Sequence, residues 1–331
     1  MSEARRVPVV GVDAMGGDVG PAVVVPGALA ALDGEGGFRL RLYGDEVAIR
    51  SELGGRADDS TIEVVPCSQA IAMNESPATA IRSRPDSPIV RAMRDQAEGG
   101  VDAVVSAGST GAMVAASLLI LGRLPSVDRP AIATVVPTVG GEILLVDAGA
   151  NVQCTPEHLL TFARMGALYA REMLRVPDPT VGLLNIGEEA TKGNELTVAA
   201  HELLRSSGLH FVGNVESNRL LQDAADVVVT DGYTGNIVLK LVEGIGQFLA
   251  GLGSRSDMEP AARSALRPLL AFLQEHFSYE RYGGALLLGI EGVSIISHGR
   301  STSRAIANAV RVAHRQVQLA IPRKLQATLA A

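Results

Sequence analysis

The feature that most constrains this chain is a unit that recurs along it: a short β-branched run, a cluster of Gly, Asp, Asn or Ser, then a helix-patterned stretch. The runs at 7–13, 40–43, 101–106, 143–147, 181–186, 227–230 and 293–297 read as strands. Most are near-continuously apolar, as expected of strands covered by helices on both faces. The stretches 21–32, 112–121, 156–174, 195–206, 236–252 and 304–319 read as helices. Strand and helix in alternation predict an α/β fold with a mainly parallel sheet. No low-complexity linker divides the 331 residues, so a single domain over 1–331 is expected.

Composition narrows the function by exclusion. The net charge is −7, with no lysine-rich tract, and aromatic residues make up 3% with no Trp. That balance argues against nucleic acid as a partner, whether held by a basic patch or by stacked bases. Cys67 and Cys154 lack CxxC spacing and neighbouring histidines, so neither a disulfide framework nor a zinc site is expected, and a reducing cytoplasm fits. The N-terminus has basic residues but no apolar core for a secretory signal. No stretch approaches the ~18 apolar residues of a spanning helix. The expectation is a soluble cytoplasmic protein, with attachment to a membrane surface left open.

The turns are where ligands bind in such a sheet, because they lie beyond the carboxyl ends of the strands and open onto helix N-termini. The chain offers Asp13–Asp18, Gly108–Gly111, Asp147–Asn151, Gly187–Asn194 and Asp231–Asn236. None is a GxxxxGK[ST] or GxGxxG loop, so a small anion such as phosphate suits them better than ATP or NAD. Two of them echo each other: DAVVSAGSTG at 102–111 aligns without gaps on DVVVTDGYTG at 226–235. Candidate phosphate contacts are therefore Gly108, Ser109, Thr110 and Gly111, and Asp231, Gly232, Thr234 and Gly235. Lys192, one of three lysines in the chain, lies in another of these turns. It reads either as a phosphate-neutralising cation or as a surface lysine paired with Glu188 or Glu189. His298, ending the last strand, reads either as a proton donor or as a residue satisfying local backbone. Glu188 and Glu189 read as a solvated pair rather than a metal site, and both cysteines as packing residues.

Residues 259–282 differ from the rest, with Ala262, Leu266, Leu269, Leu270, Leu273 and Phe277 at helical spacing. Pro268 is expected to kink or divide this helix. The segment, taken over 254–282, reads as core or dimer packing, or as a projecting helical hairpin touching lipid or an acidic protein.

These motifs together resemble one family, the PlsX phosphate acyltransferases of bacterial phospholipid synthesis. The resemblance spans nearly the whole chain and rests on VDAMGGDVGP (12–21), ESP (75–77), SAGSTGA (106–112) and DAGAN (147–151). Further along it rests on IGEEATKGNE (186–195), DGYTGN (231–236), YGGA (282–285) and ISHG (296–299). It implies a three-layer α/β/α fold like that of isocitrate and isopropylmalate dehydrogenases, shared with phosphotransacetylase. It also implies a homodimer; from the residues themselves no cofactor and no metal are expected. The implied reaction is acyl transfer from acyl-carrier protein to inorganic phosphate, on a protein peripherally associated with the membrane. The acyl phosphate would pass to a membrane glycerol-3-phosphate acyltransferase. The family's motif lysine falls on Lys192 and its motif asparagine on Asn236. Departures are Ser109 in place of asparagine, ESNR at 216–219 for EGRD, and RPDSP at 84–88 for a lysine-rich segment.

The expected mechanism is direct attack by bound phosphate on the thioester, with Lys192 and Asn236 central, His298 as an optional general acid and no enzyme nucleophile. Acidic carrier protein would need local basic residues, for which Arg263, Arg267 and Arg281 are the candidates. A phosphotransacetylase-like enzyme using acyl-CoA and a non-catalytic membrane-associated scaffold are the alternatives.

Overall fold

The structure is a computed structural model that describes residues 6–72, 75–253, 260–276 and 281–330. In chain order the strands are β1 (Val9–Asp13), β2 (Arg39–Gly44), β3 (Ile62–Pro66), β4 (Ala103–Ser106), β5 (Ala131–Pro137) and β6 (Glu142–Val146). They continue with β7 (Val181–Asn185), β8 (Phe211–Glu216), β9 (Val227–Val229), β10 (Ala285–Leu288) and β11 (Ser294–Ile296). The helices are α1 (Pro21–Glu35), α2 (Glu46–Leu53), α3 (Pro77–Ser83), α4 (Pro88–Ala97), α5 (Thr110–Ala116) and α6 (Pro156–Tyr169). After these come α7 (Glu195–Arg205), α8 (Gly232–Gly253), α9 (Pro260–His276), α10 (Ser303–Gln318) and α11 (Ile321–Ala330). Both α5 and α6 run on into a π-helical turn, ending at Leu121 and Leu174.

By compactness the chain divides into two units, Met1–Pro130 with Tyr282–Ala331, and Ala131–Arg281. The first carries strands in the order β3-β2-β1-β4-β11-β10. Its neighbours are parallel except for β10 against β11. Strand β1 is buried throughout because α10 packs on it and α4 supplies Val90 and Met93 from its own apolar stripe. The second carries β5-β6-β9-β7-β8, parallel except for the β5–β6 hairpin. Here α6 packs on β6 and β9, α7 on β7 and β8, and α8 on β5 and β6. Every residue of β7 and β9 is buried. Each such Val or Leu contributes ~1.5–3 kcal/mol of transfer free energy. These units are the α/β architecture the alternation of runs predicts.

Helix α9 lies against α8 and is not divided at Pro268, whose exposed ring removes one hydrogen bond without ending the helix. Residues 254–259 and 277–280 of the expected helical segment fall outside the described residues. No described helix is long and apolar enough to cross a membrane.

Candidate active site

In the second unit β6, β9 and β7 run parallel and adjacent, so the turns that follow them leave from one edge of the sheet. The first of these turns is built on Asp147, whose side chain is completely buried. Its Oδ1 accepts from the backbone N–H of Ile132, Gly149 and Ala150 at 3.1, 3.0 and 2.8 Å. Its Oδ2 accepts from the backbone and side-chain N–H of Asn151, both at 2.8 Å. Burial pushes the carboxyl above the usual carboxylate range, while the surrounding amides restrain the rise.

The second turn fastens onto the first. Gly232 N–H donates to the Asn151 carbonyl at 2.7 Å. The approach is so close that a Cβ on Gly232 would lie 2.8 Å from Asp147 Oδ2, and one on Gly235 would overlap the Asp147 carbonyl oxygen. Asp231 caps α8, its carboxylate accepting from the backbone N–H of Thr234 at 2.9 Å and from the Thr234 hydroxyl at 2.8 Å. Gly235 N–H is bonded to the Asp231 carbonyl. The amides of Gly232, Thr234 and Gly235 are thus all engaged within the chain, beside a carboxylate. What this turn presents outward is the exposed side chain of Asn236, whose Nδ2 lies 3.4 Å from the Ala148 carbonyl.

The third turn carries Lys192, which is exposed. Glu188 pairs with Arg219 instead, and Lys192 makes no ion pair or side-chain hydrogen bond among the described residues. The turn closes through Lys192 N–H on the Glu189 carbonyl at 3.0 Å. Asn194 then caps α7 by accepting from Thr197 N–H at 2.9 Å. Gly193 between them adopts φ +102°, a left-handed geometry that costs a side-chain-bearing residue strain.

The first unit repeats this pattern. Asp13 ends β1, is 4% exposed, and accepts from Ser106 Oγ at 2.6 Å and Met15 N–H at 3.1 Å. Ser106 Oγ in turn accepts from Gly108 N–H at 2.9 Å, fixing the entry to the 108–111 turn. Burial raises the Asp13 pKa as it does that of Asp147. Ser109 caps α5, accepting from Ala112 N–H. The N–H groups of Thr110 and Gly111 have no partner among the described residues, in contrast to the engaged amides of the 231–235 turn. A cavity of about 80 Å³ beside this turn is lined by Asp13, Met15, Gly16, Ile71, Ser87 and Gly108. His298 follows β11, which pairs with β4, so it sits at the same edge as Ser106. Its Nδ1 accepts from Arg300 N–H at 3.1 Å, which puts the proton of a neutral ring on Nε2. A larger cleft of about 780 Å³ lies at the opposite, amino ends of these strands, among Pro8, Asp102 and Val293, away from every candidate residue.

Both cysteines are half-buried, and burial pushes the Cys67 thiol up to about 12. The described residues contain no cluster of His, Cys, Asp or Glu suited to a metal. Of the candidate carrier contacts, Arg267 is exposed on α9 and Arg281 is exposed just before β10. The Arg263 side chain lies outside what is described. Apolar side chains are exposed along α8 (Tyr233, Ile237, Leu241, Phe248) and α9 (Leu266, Leu269, Phe272).

A family model and the sequence relatives agree on one family. A family model described as fatty acid synthesis protein matches residues 9–324. A phosphate acyltransferase of Moorella thermoacetica is 49% identical over 313 residues, covering 93% of this chain and 92% of the relative. One from Thermodesulfovibrio yellowstonii is 43% identical over 325 residues, covering 97% and 94%. Among solved structures, a phosphotransacetylase from Streptococcus pyogenes matches with TM-score 0.62 at 16% identity, covering 94% of each chain. The EutD phosphotransacetylase from Staphylococcus aureus matches with TM-score 0.61 at 15% identity, again over 94% of each, a likeness of fold. A strand-edge set of Gly-rich turns without a nucleotide motif, together with this similarity along the whole length, makes the chain an enzyme of the PlsX phosphate acyltransferase family.

Proposed function

We propose that this enzyme transfers a fatty acyl group from an acyl-carrier-protein thioester to inorganic phosphate, yielding acyl phosphate for phospholipid synthesis. The observation that carries the reading is Lys192: an exposed ammonium whose side chain has no partner among the described residues, on a closed turn beyond β7, the strand next to the one that leads to Asn236. An unpaired cation there neutralises phosphate as a point charge. A phosphate oxygen attacks the thioester carbonyl carbon, the C–O bond forms, and the C–S bond breaks as the carrier thiolate leaves. Asn236 Nδ2 orients phosphate or donates to the developing oxyanion, where one donor commonly contributes ~10²–10³ in rate. Phosphate is nucleophilic at neutral pH, so no covalent acyl-enzyme is required. His298 Nε2 can protonate a leaving group, but a thiolate leaves without that help.

Arg267 and Arg281, with Arg263, are proposed to meet the acidic carrier. The exposed apolar side chains of α8 and α9 support a homodimer and peripheral contact with membrane, where a glycerol-3-phosphate acyltransferase would receive the product. A second reading, an enzyme using acyl-CoA, is favoured by the phosphotransacetylase folds of the structural neighbours. The test supplies purified protein with phosphate and either long-chain acyl-carrier protein or acyl-CoA, and measures acyl phosphate. The reading predicts product chiefly from the carrier thioester; chief use of acyl-CoA supports the second. Lys192→Met should abolish most turnover at unchanged thermal stability, and near-normal turnover removes Lys192 from the chemistry.

A further inference from the structure

Two asparagines occupy strand positions that in this sheet are otherwise mostly aliphatic. Asn185 is the last residue of β7, and Asn214 lies in β8, directly opposite Leu183 in the parallel register. They are 9% and 7% exposed. A buried carboxamide costs free energy unless its donors and acceptor are paired, so its partners show what it is for. Asn214 Nδ2 donates to the Glu189 carbonyl at 2.8 Å. Asn185 Nδ2 donates to the Lys192 carbonyl at 3.0 Å, while its Oδ1 accepts from Ile186 N–H at 2.8 Å. The first and last carbonyls of the Glu189–Lys192 turn are therefore held by side chains from two adjacent strands.

Asn214 is itself oriented. Its Oδ1 lies 3.0 Å from His201 Nδ1, and since Nδ2 is the donor to Glu189, the histidine nitrogen must be the donor to Oδ1. His201 projects inward from α7, is 7% exposed, and meets Phe211 edge-on with ring centroids 5.1 Å apart. A polar chain thus runs from α7 through β8 to the backbone of the lysine turn. Its terminus matters because the Lys192 side chain has no partner among the described residues. A long, unpartnered ammonium is aimed only by the backbone that carries it.

We propose that Asn185, Asn214 and His201 are positioning residues that fix the Lys192 turn for phosphate. The inference rests on the reading of Lys192 as the phosphate-holding cation. The test measures KM for phosphate, KM for the thioester, kcat and thermal stability in Lys192→Met, Asn185→Asp, Asn214→Asp, His201→Leu and His201→Gln. Each aspartate keeps the acceptor of the asparagine it replaces but removes the donor to the turn. Asn185→Asp and Asn214→Asp should raise phosphate KM about tenfold, the scale of a part-buried carbonyl losing a side-chain donor, and leave the thioester KM unchanged. His201→Leu should raise it less, with Gln, a potential donor, restoring most of the loss. A purely structural role would lower stability and leave the ratio of the two KM values unchanged, which overturns the proposal. If Lys192→Met is inactive while both aspartate variants keep a normal phosphate KM, only the positioning role fails. If Lys192→Met is active, the reading of Lys192 fails and the proposal fails with it.

Discussion

Gly235→Ala tests how the Asn236 turn is held. By helix propensity alone the change should stabilise α8 by ~1 kcal/mol, since glycine is the poorer residue within a helix. Packing predicts the opposite sign. A Cβ at this position would overlap the Asp147 carbonyl oxygen and lie 2.9 Å from its carbon and 3.0 Å from Thr230 Cγ2. Two of these contacts are backbone atoms whose neighbours are locked by the buried Asp147 carboxylate, so the first turn of α8 has to move by on the order of 1 Å. Overpacking of this kind costs ~1–3 kcal/mol. Set against the propensity gain, this leaves a net destabilisation of ~0–2 kcal/mol, which lowers Tm by up to roughly 8 °C in a unit of this size. The same movement displaces Asn236, and a misplacement of about 1 Å costs ~10²-fold in rate. Gly244→Ala in the same helix is the control: nothing lies within 4 Å of its Cβ, so stability should rise by ~0.5–1 kcal/mol with activity unchanged. Differential scanning fluorimetry and an acyl phosphate assay read both. Gly235→Ala that melts at or above wild type and keeps activity within about threefold would refute the reasoning, since an overlap that size cannot be absorbed silently.

Asp13 links stability to pH. Burial raises its folded pKa above the unfolded value of about 3.9, so the folded form binds the extra proton and stability from this group falls as pH rises through the folded pKa. The Tm difference between wild type and Asp13→Asn should therefore shift against wild type from pH 4 to pH 7; a constant or opposite trend contradicts the assignment. Asp147→Asn replaces one acceptor oxygen with an NH2 that faces backbone donors, and should cost ~2–4 kcal/mol by thermal unfolding; no loss would show that the carboxylate is not the turn's anchor. Arg267→Glu should raise KM for carrier protein and reduce its salt sensitivity without changing phosphate KM; unchanged carrier kinetics removes α9 from that surface.

The parts of the fold legible in the sequence are those with a strong local signal. The apolar runs mark β1, β2, β4, β6, β7, β9 and β11, most of which are buried on both faces and so admit little but aliphatic residues. β3, β5, β8 and β10 are absent from that reading: β3 and β8 are half-exposed edge strands with a mixed pattern, whereas β5 (AIATVVP) and β10 (ALLL) carry apolar runs that were within reach. α8 starts at Gly232 rather than at Asn236 because Asp231 caps it, a D-x-x-T signal present in the sequence but read as part of an anion loop. That same cap distinguishes the two echoing turns, since Ser109 leaves the Thr110 and Gly111 amides open while Asp231 brings a carboxylate. Lys192 and Asn236 could be singled out from motifs. Asp13 and Asp147 were within reach, because each follows a buried run and precedes a Gly-rich turn, but nothing local says that such a carboxylate is buried. Asn185, Asn214 and His201 were not, because their partners are carbonyls brought near only by folding.

The most direct test of the central claim, that phosphate itself is the nucleophile, is rapid quench of enzyme mixed with acyl-carrier protein in the absence and presence of phosphate. The account predicts no release of carrier thiol without phosphate, then thiol and acyl phosphate in equal amounts once phosphate is added. Thiol released in an amount equal to enzyme before phosphate is present would reveal an acyl-enzyme and contradict it.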